Sequence, residues 1–152
     1  MSGTEGFFAR CGQAHLLVVG DVMVDAYLWG RVDRISPEAP VPVVQVTRRS
    51  ARLGGAANVA LNAQALGATA TIATVVGDDP DADRIEALLR EQRSPMDGIV
   101  RSSQRRTTVK TRVISGHQHV VRVDEEQEDE LSQADERALL DRIAMLMAAR
   151  RP

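Results

Sequence analysis

Two aspartates, a glycine pair followed by an asparagine, and a row of alternating cations are the residues of this 152-residue chain whose types and spacing could do chemistry. Asp21 and Asp25, in "GDVMVDAY", follow the apolar run "HLLVVGD". Open α/β sheets bind ligands beyond the carboxyl ends of their strands. A carboxylate there can accept hydrogen bonds from sugar hydroxyls, strengthened by its charge. Asp25 is the better candidate, since Asp21 can simply end the strand; a turn-forming Asp with a solvated neighbour would look the same.

Gly54 and Gly55 stand before an alanine-rich helical run, with Asn58 in its first turn. A glycine pair costs backbone entropy and makes sense where something must approach the main chain. A helix start offers N–H groups and the positive end of the dipole, and Asn58 adds a donor and an acceptor. The stretch is neither a G-x-G-x-x-G fingerprint nor a Walker A loop. A glycine turn ahead of a helix-starting Asn is the plainer alternative.

Arg106, Lys110 and Arg112 share parity in a predicted strand, so their side chains leave one face, and Arg122 adds a fourth cation from across the turn. Like charges on one face repel unless an anion or acidic partner sits among them. A phosphorylated substrate would suit; so would a solvated face of the hairpin. His117 and His119 share a strand face but have no third ligand nearby, and they are read as surface positions. Met145 and Met147 are read as helix packing. Cys11 has nothing nearby in sequence to activate it.

These residues need elements to hold them. Residues 15–21 read as a buried strand and 42–48 as an edge strand, because Pro37, Pro40 and Pro42 exclude a helix interior or a central strand. A helix spans 55–67, with Ala56, Val59, Ala60, Ala63 and Leu66 on one face and Gly67 closing it. A buried strand follows at 69–77 and a helix at 78–92 with Pro80 in its first turn. Strand, helix, strand, helix is a βαβα unit with a parallel sheet. Residues 105–126 read as a hairpin around Ser115-Gly116. Residues 132–150 read as a helix opened by Ser132 and Asp135, with Leu139, Ile143 and Leu146 as its apolar stripe. There is no internal repeat and no low-complexity tract.

Composition bounds the function. Hydrophobic content of 43% and charged content of 26% are those of a globular protein. A net charge of −2 supplies no global field for nucleic acid. One cysteine excludes an internal disulfide and fits a reducing compartment. No apolar stretch reaches the roughly 18 residues of a membrane span, and no signal peptide is evident. A cytoplasmic, soluble domain or part of one is expected, acting on a small molecule, with no nucleic-acid or membrane partner.

Three stretches carry a resemblance. Gly54, Gly55, Ala56, Ala57, Asn58, Ala60, Gly67 and Gly77 match the N-terminal signature of the ribokinase-like (PfkB) carbohydrate kinases. "VVGDVMVDAYLWGRVDRISPEAPVPVV" and "TTVKTRVISGHQHVVRVDEE" look more narrowly like the bacterial D-glycero-β-D-manno-heptose-7-phosphate kinases of ADP-heptose synthesis. The resemblance implies an α/β ribokinase-like fold: part of a Rossmann-type parallel sheet with helices, plus a small β lid from segments 26–49 and 105–123. It places 1–14 outside the domain as a flexible N-terminus and 15–152 as the N-terminal half of a kinase domain. It puts a hydroxyl on Asp25, main chain against the sugar at Gly54 and Gly55, and a further hydroxyl on Asn58. The substrate's existing phosphate then lies near Lys110 and Arg112, and less directly near Arg106 and Arg122.

The resemblance further implies transfer of phosphate from ATP with Mg²⁺ to O1 of the heptose, and a homodimer through the lid. The family's catalytic base is the Asp of a G-A-G-D motif, which does not occur in these residues. No catalytic residue and no metal ligand is therefore assigned here, and the chain alone is expected to lack turnover. The competing expectations are a kinase for another phosphosugar, such as fructose 6-phosphate, and a non-catalytic sugar-phosphate-binding or dimerisation module.

Overall fold

The computed structural model describes residues 3–149, and Arg150, the last residue of the expected final helix, lies outside them. A helix α1 (Gly3–Cys11) occupies much of the segment expected to be flexible. Then come β1 (His15–Val19), β2 (Val22–Ile35), β3 (Pro42–Gly55), α2 (Ala56–Ala65), β4 (Thr69–Gly77), α3 (Pro80–Glu91), β5 (Ile99–Ser102), β6 (Thr108–Ser115), β7 (Gln118–Glu125) and α4 (Gln133–Ala148).

Two sheets result. β1, β4 and β5 form a parallel sheet with β4 in the centre. The apolar run of β4 accordingly has Ala70, Ile72, Ala73 and Val76 buried. β5 is four residues long, too short to show a period, and sequence reading passed over it. The second sheet has the order β3-β2-β6-β7, antiparallel within each hairpin and parallel where β2 meets β6. The two segments expected to form a small lid thus pair with each other, in a sheet with more strands than the parallel one.

The segment after β1 is a long hairpin, in which the expected edge strand at 42–48 pairs with a second long strand, β2. β3 starts at Pro42 on the sheet edge, where a residue without an N–H costs no ladder bond. It runs on past 48 to Gly55, because Arg48, Ser50 and Arg52 alternate with Ala51 and Leu53 across its two faces. Val22, Val24 and Ala26 of β2, Leu53 of β3 and Val109 of β6 point into the core. They meet Ala57 and Ala60 of α2, Ile72 and Val76 of β4, and Ile85 and Leu89 of α3.

Three packing expectations are corrected. On α2, Ala60 is buried and Ala56 and Ala63 pack partly against the core as expected, but Ala57 and Leu61 join them, while Val59 is 56% exposed and Leu66 is exposed. The helix leaves β3 directly at Ala56, so its inward face is turned by about one residue from the pattern expected. On α4, Leu146 is buried as expected, but Met145 and Met147 are 48% and 59% exposed. β1 is not covered on both faces: Leu16 and Val19 are exposed.

Asp79 joins the two layers. It caps α3, its Oδ1 accepting from the Ala82 N–H at 2.9 Å, while Oδ2 accepts from the Thr107 N–H at 2.8 Å, just before β6. Thr107 is itself 1% exposed, and its Oγ1 accepts from the Gly77 N–H at 2.9 Å. Burial alone would raise the Asp79 pKa, but the hydrogen bonds from Thr107 and Ala82 outweigh it and hold the carboxyl below its ordinary value. A depressed carboxyl stabilises the fold above its unfolded pKa, and that contribution is lost as pH falls through the folded value. Asp79→Ala is expected to cost about 1–2 kcal/mol at neutral pH. Urea unfolding should show the gap narrowing below a pH of roughly 3.9. A gap that does not change with pH would contradict the assignment.

Candidate functional site

Strand parity sorts the four-stranded sheet into two faces. Val22, Val24 and Ala26 face the core; Met23, Asp25, Tyr27 and Trp29 face the other way. The register then sets residues beside them. Asp25 lies opposite Arg52 on β3 and Lys110 on β6, and Tyr27 lies opposite Ser50 and Arg112. Arg112 in turn lies opposite Arg122 on β7, and Lys110 opposite Asp124.

Charge pairing fixes this face. The Arg112 guanidinium donates to the Asp25 carboxylate, and each side chain is 22% exposed. That bond, more than the opposing effect of burial, holds Arg112 above its ordinary pKa. Lys110 Nζ donates to Glu126 Oε2 at 2.7 Å and to Asp124 Oδ2 at 3.5 Å. The Glu126 bond chiefly raises the Lys110 pKa. Arg122 Nε stands 3.0 Å from Asp124 Oδ1. Arg106 is 68% exposed and reaches Glu125 only at 3.9 Å.

The glycine pair has two separate causes. A Cβ on Gly54 would lie 2.6 Å from Asp25 Oδ2 and 2.8 Å from Met23 Cγ, so the missing side chain is the space that the Asp25 carboxylate occupies. Gly55 has φ +59°, and a Cβ there would collide with the Asp21 carbonyl oxygen. That carbonyl accepts from the Ala56 N–H at 2.8 Å and so takes one of the N–H groups that α2 leaves open at its start. Asp21 therefore serves the helix through its backbone, and Gly54 serves Asp25.

The sequence-predicted residues divide accordingly. Asp25, Gly54, Lys110 and Arg112 come together, with Arg122 one strand farther on. Gly55 positions α2. Arg106 lines a cavity of about 350 Å³ with Asp21, Met23 and Thr108, next to Asp25 along the sheet. Asn58 is exposed on the first turn of α2 and lines a different cleft with Arg52, Leu53 and Leu88. His117 lies in the two-residue turn before β7 rather than on a strand, and both it and His119 are exposed. Among the described residues no group of His, Cys, Asp or Glu converges to hold a metal ion. No described helix is long and apolar enough to cross a membrane.

Sequence reading missed Tyr27, Trp29, Arg52 and Asp124. Tyr27 and Trp29 stack with centroids 6.1 Å apart and planes 18° apart. Arg48 lies over Trp29, and Arg52 and Arg112 lie over Tyr27. The signal was present: once 22–29 is taken as a strand, positions 25, 27 and 29 fall on one face.

Residues 13–149 match the family described as pfkB family carbohydrate kinase. The chain is 44% identical over 140 residues to the bifunctional protein HldE of Citrifermentans bemidjiense, covering 92% of this chain and 29% of that one. It is 52% identical over 126 residues to the D-beta-D-heptose 7-phosphate kinase of Bordetella bronchiseptica, covering 83% and 40%. Among solved structures, its fold is similar to that of the Xylella fastidiosa fructokinase with bound ATP. There the TM-score is 0.52 and the identity 21%, over 74% of this chain and 30% of that one. The chain spans less than half the length of these relatives. It belongs to the pfkB family of carbohydrate kinases.

The two glycines should fail differently. Gly55→Ala meets a positive φ and a backbone carbonyl, and urea unfolding should show a loss of about 2 kcal/mol or more. Gly54→Ala meets a side chain that can swing away, at about 1 kcal/mol for an off-rotamer neighbour. Its crystal structure should show Asp25 displaced from Arg112. Equal stability costs with the Asp25–Arg112 pair intact would refute the distinction.

Proposed function

We propose that this chain carries the sugar-binding part of a kinase that phosphorylates O1 of D-glycero-β-D-manno-heptose 7-phosphate with ATP, in ADP-heptose synthesis for lipopolysaccharide core. The observation that carries the reading is a carboxylate set among cations on one sheet face, in a chain similar to heptose 7-phosphate kinases. A sugar phosphate presents hydroxyls and a phosphate, and this face offers a partner for each. Asp25 accepts from a hydroxyl, the backbone at Gly54 lets the ring come close, and Arg112 and Lys110 donate to the phosphate, with Arg122 and Arg106 at the rim. Asn58, across the start of α2, takes a further hydroxyl.

Phosphoryl transfer depends on positioning and on electrostatic stabilisation of the moving group. In this reading the 152 residues contribute the positioning. Their described part gathers no group of His, Cys, Asp or Glu that could hold a metal ion, so these residues do not fit Mg²⁺. Two copies would meet through the four-stranded sheet, where Val121 and Val123 of β7 are exposed. The site belongs to a protein working in the cytoplasm, where sugar phosphates and ATP are held.

Thermal unfolding tests this directly. A ligand bound only by the folded chain stabilises it by about 2.7 kcal/mol at a hundredfold excess over Kd. Heptose 7-phosphate should raise the midpoint of the 152-residue chain, MgATP should not, and Asp25→Asn should abolish the rise. A larger rise with fructose 6-phosphate would transfer the reading to another phosphosugar. A rise with no turnover, even when the chain is mixed with a complementary C-terminal half, would favour a non-catalytic module.

A further inference from the structure

The ion pairs around Asp25 leave one cation over. Arg112 takes the Asp25 carboxylate, Lys110 is held by Glu126 and Asp124, and Arg122 stands at Asp124. Arg52 is directly opposite Asp25 in the β2–β3 register, yet it has no carboxylate partner among the described ion pairs. Its guanidinium lies 5.9 Å from the Tyr27 ring centroid, and that of Arg112 lies 5.5 Å from the same ring. Two guanidinium groups brought to one ring repel each other, and a contact of this kind offsets little of that at a partly exposed site.

The face as a whole has the same imbalance. Arg48, Arg52, Lys110, Arg112 and Arg122 stand against Asp25, Asp124 and Glu126. Positive charge is in excess there, although the chain as a whole carries −2. A phosphate monoester supplies close to two negative charges and three acceptor oxygens. Planar guanidinium forks match those oxygens better than ammonium groups do.

We propose that Arg52 and Arg112 together receive the substrate's phosphate, with the Tyr27 ring as the floor between them. The assignment rests on the sugar-phosphate reading above and adds a residue to it: Arg52 is a phosphate-binding residue, and Arg106 stays at the periphery. It also links the two halves of recognition. A phosphate that engages Arg112 draws it from Asp25 and frees that carboxylate for a hydroxyl. A sugar without phosphate meets a carboxylate already occupied by Arg112.

Trp29, the one tryptophan of the chain, stacks on Tyr27 and reports on this face by its fluorescence. Titrations of heptose 7-phosphate, unphosphorylated heptose and inorganic phosphate would be followed by Trp29 emission and by calorimetry. The chains compared are wild type, Arg52→Gln, Arg52→Lys and Arg106→Gln, with the ligand-free melting midpoint of each as a check on folding. Arg52→Gln should weaken heptose 7-phosphate roughly tenfold to hundredfold and leave unphosphorylated heptose unchanged. Arg52→Lys should recover part of the loss, and Arg106→Gln should change affinity less than Arg52→Gln does. If Arg52→Gln binds heptose 7-phosphate as wild type does, or loses both sugars equally, the assignment is overturned. Binding of inorganic phosphate that requires Arg52, without binding of the heptose phosphate, would keep the anion site and overturn the sugar-kinase reading instead. No phosphate-dependent binding by wild type would overturn the anion site.

Discussion

The structure depends on one close approach, that of the Asp25 carboxylate to the backbone of β3 at Gly54. A carboxylate in the middle of a sheet face needs a hole beside it and a counter-charge within reach. The absent Gly54 side chain is the hole, and Arg112, arriving from β6, is the counter-charge. Both requirements are met only if β2 lies between β3 and β6 in this register. A one-residue slip of either neighbour would turn its cations into the core and its apolar side chains out.

The same strands also bind this face to the rest of the molecule. Their inward residues build the core that α2 and α3 cover, so the site stands on packed apolar side chains rather than on a mobile loop. Gly55 turns the end of β3 straight into α2 with no connecting loop, and the Asp21 carbonyl receives the first N–H of the helix. Asp79 makes the second tie, from the cap of α3 to the residue that precedes β6. Both ties lie at the same end of the four-stranded sheet, where β3 ends and β2 and β6 begin.

Much of this was legible in the sequence, for physical reasons that differ by element. Gly67 and Pro80 mark helix ends through backbone geometry that few other residues tolerate, and both stand where they were placed. Ser132 caps α4 as its spacing to Asp135 implies. Residues 26–49 were harder. The prolines there confine the strand expectation to 42–48, whereas a strand with one solvated face accepts charges at every second position and so extends on both sides of the turn. Tyr27, Trp29, Arg48 and Arg52 share the face of Asp25 only once β2 and β3 are paired in this register. Pairing is a tertiary property: that Arg112 reaches Asp25, across 87 residues of chain, follows from the parallel β2–β6 register and not from local spacing.

The central claim is that Asp25 is a hydroxyl acceptor held in reserve by Arg112 until a phosphate arrives. A crystal structure of the chain with D-glycero-β-D-manno-heptose 7-phosphate tests it most directly. The account predicts a sugar hydroxyl on the Asp25 carboxylate and the phosphate on Arg112. A sugar phosphate bound elsewhere, with the Asp25–Arg112 pair still closed, would contradict it.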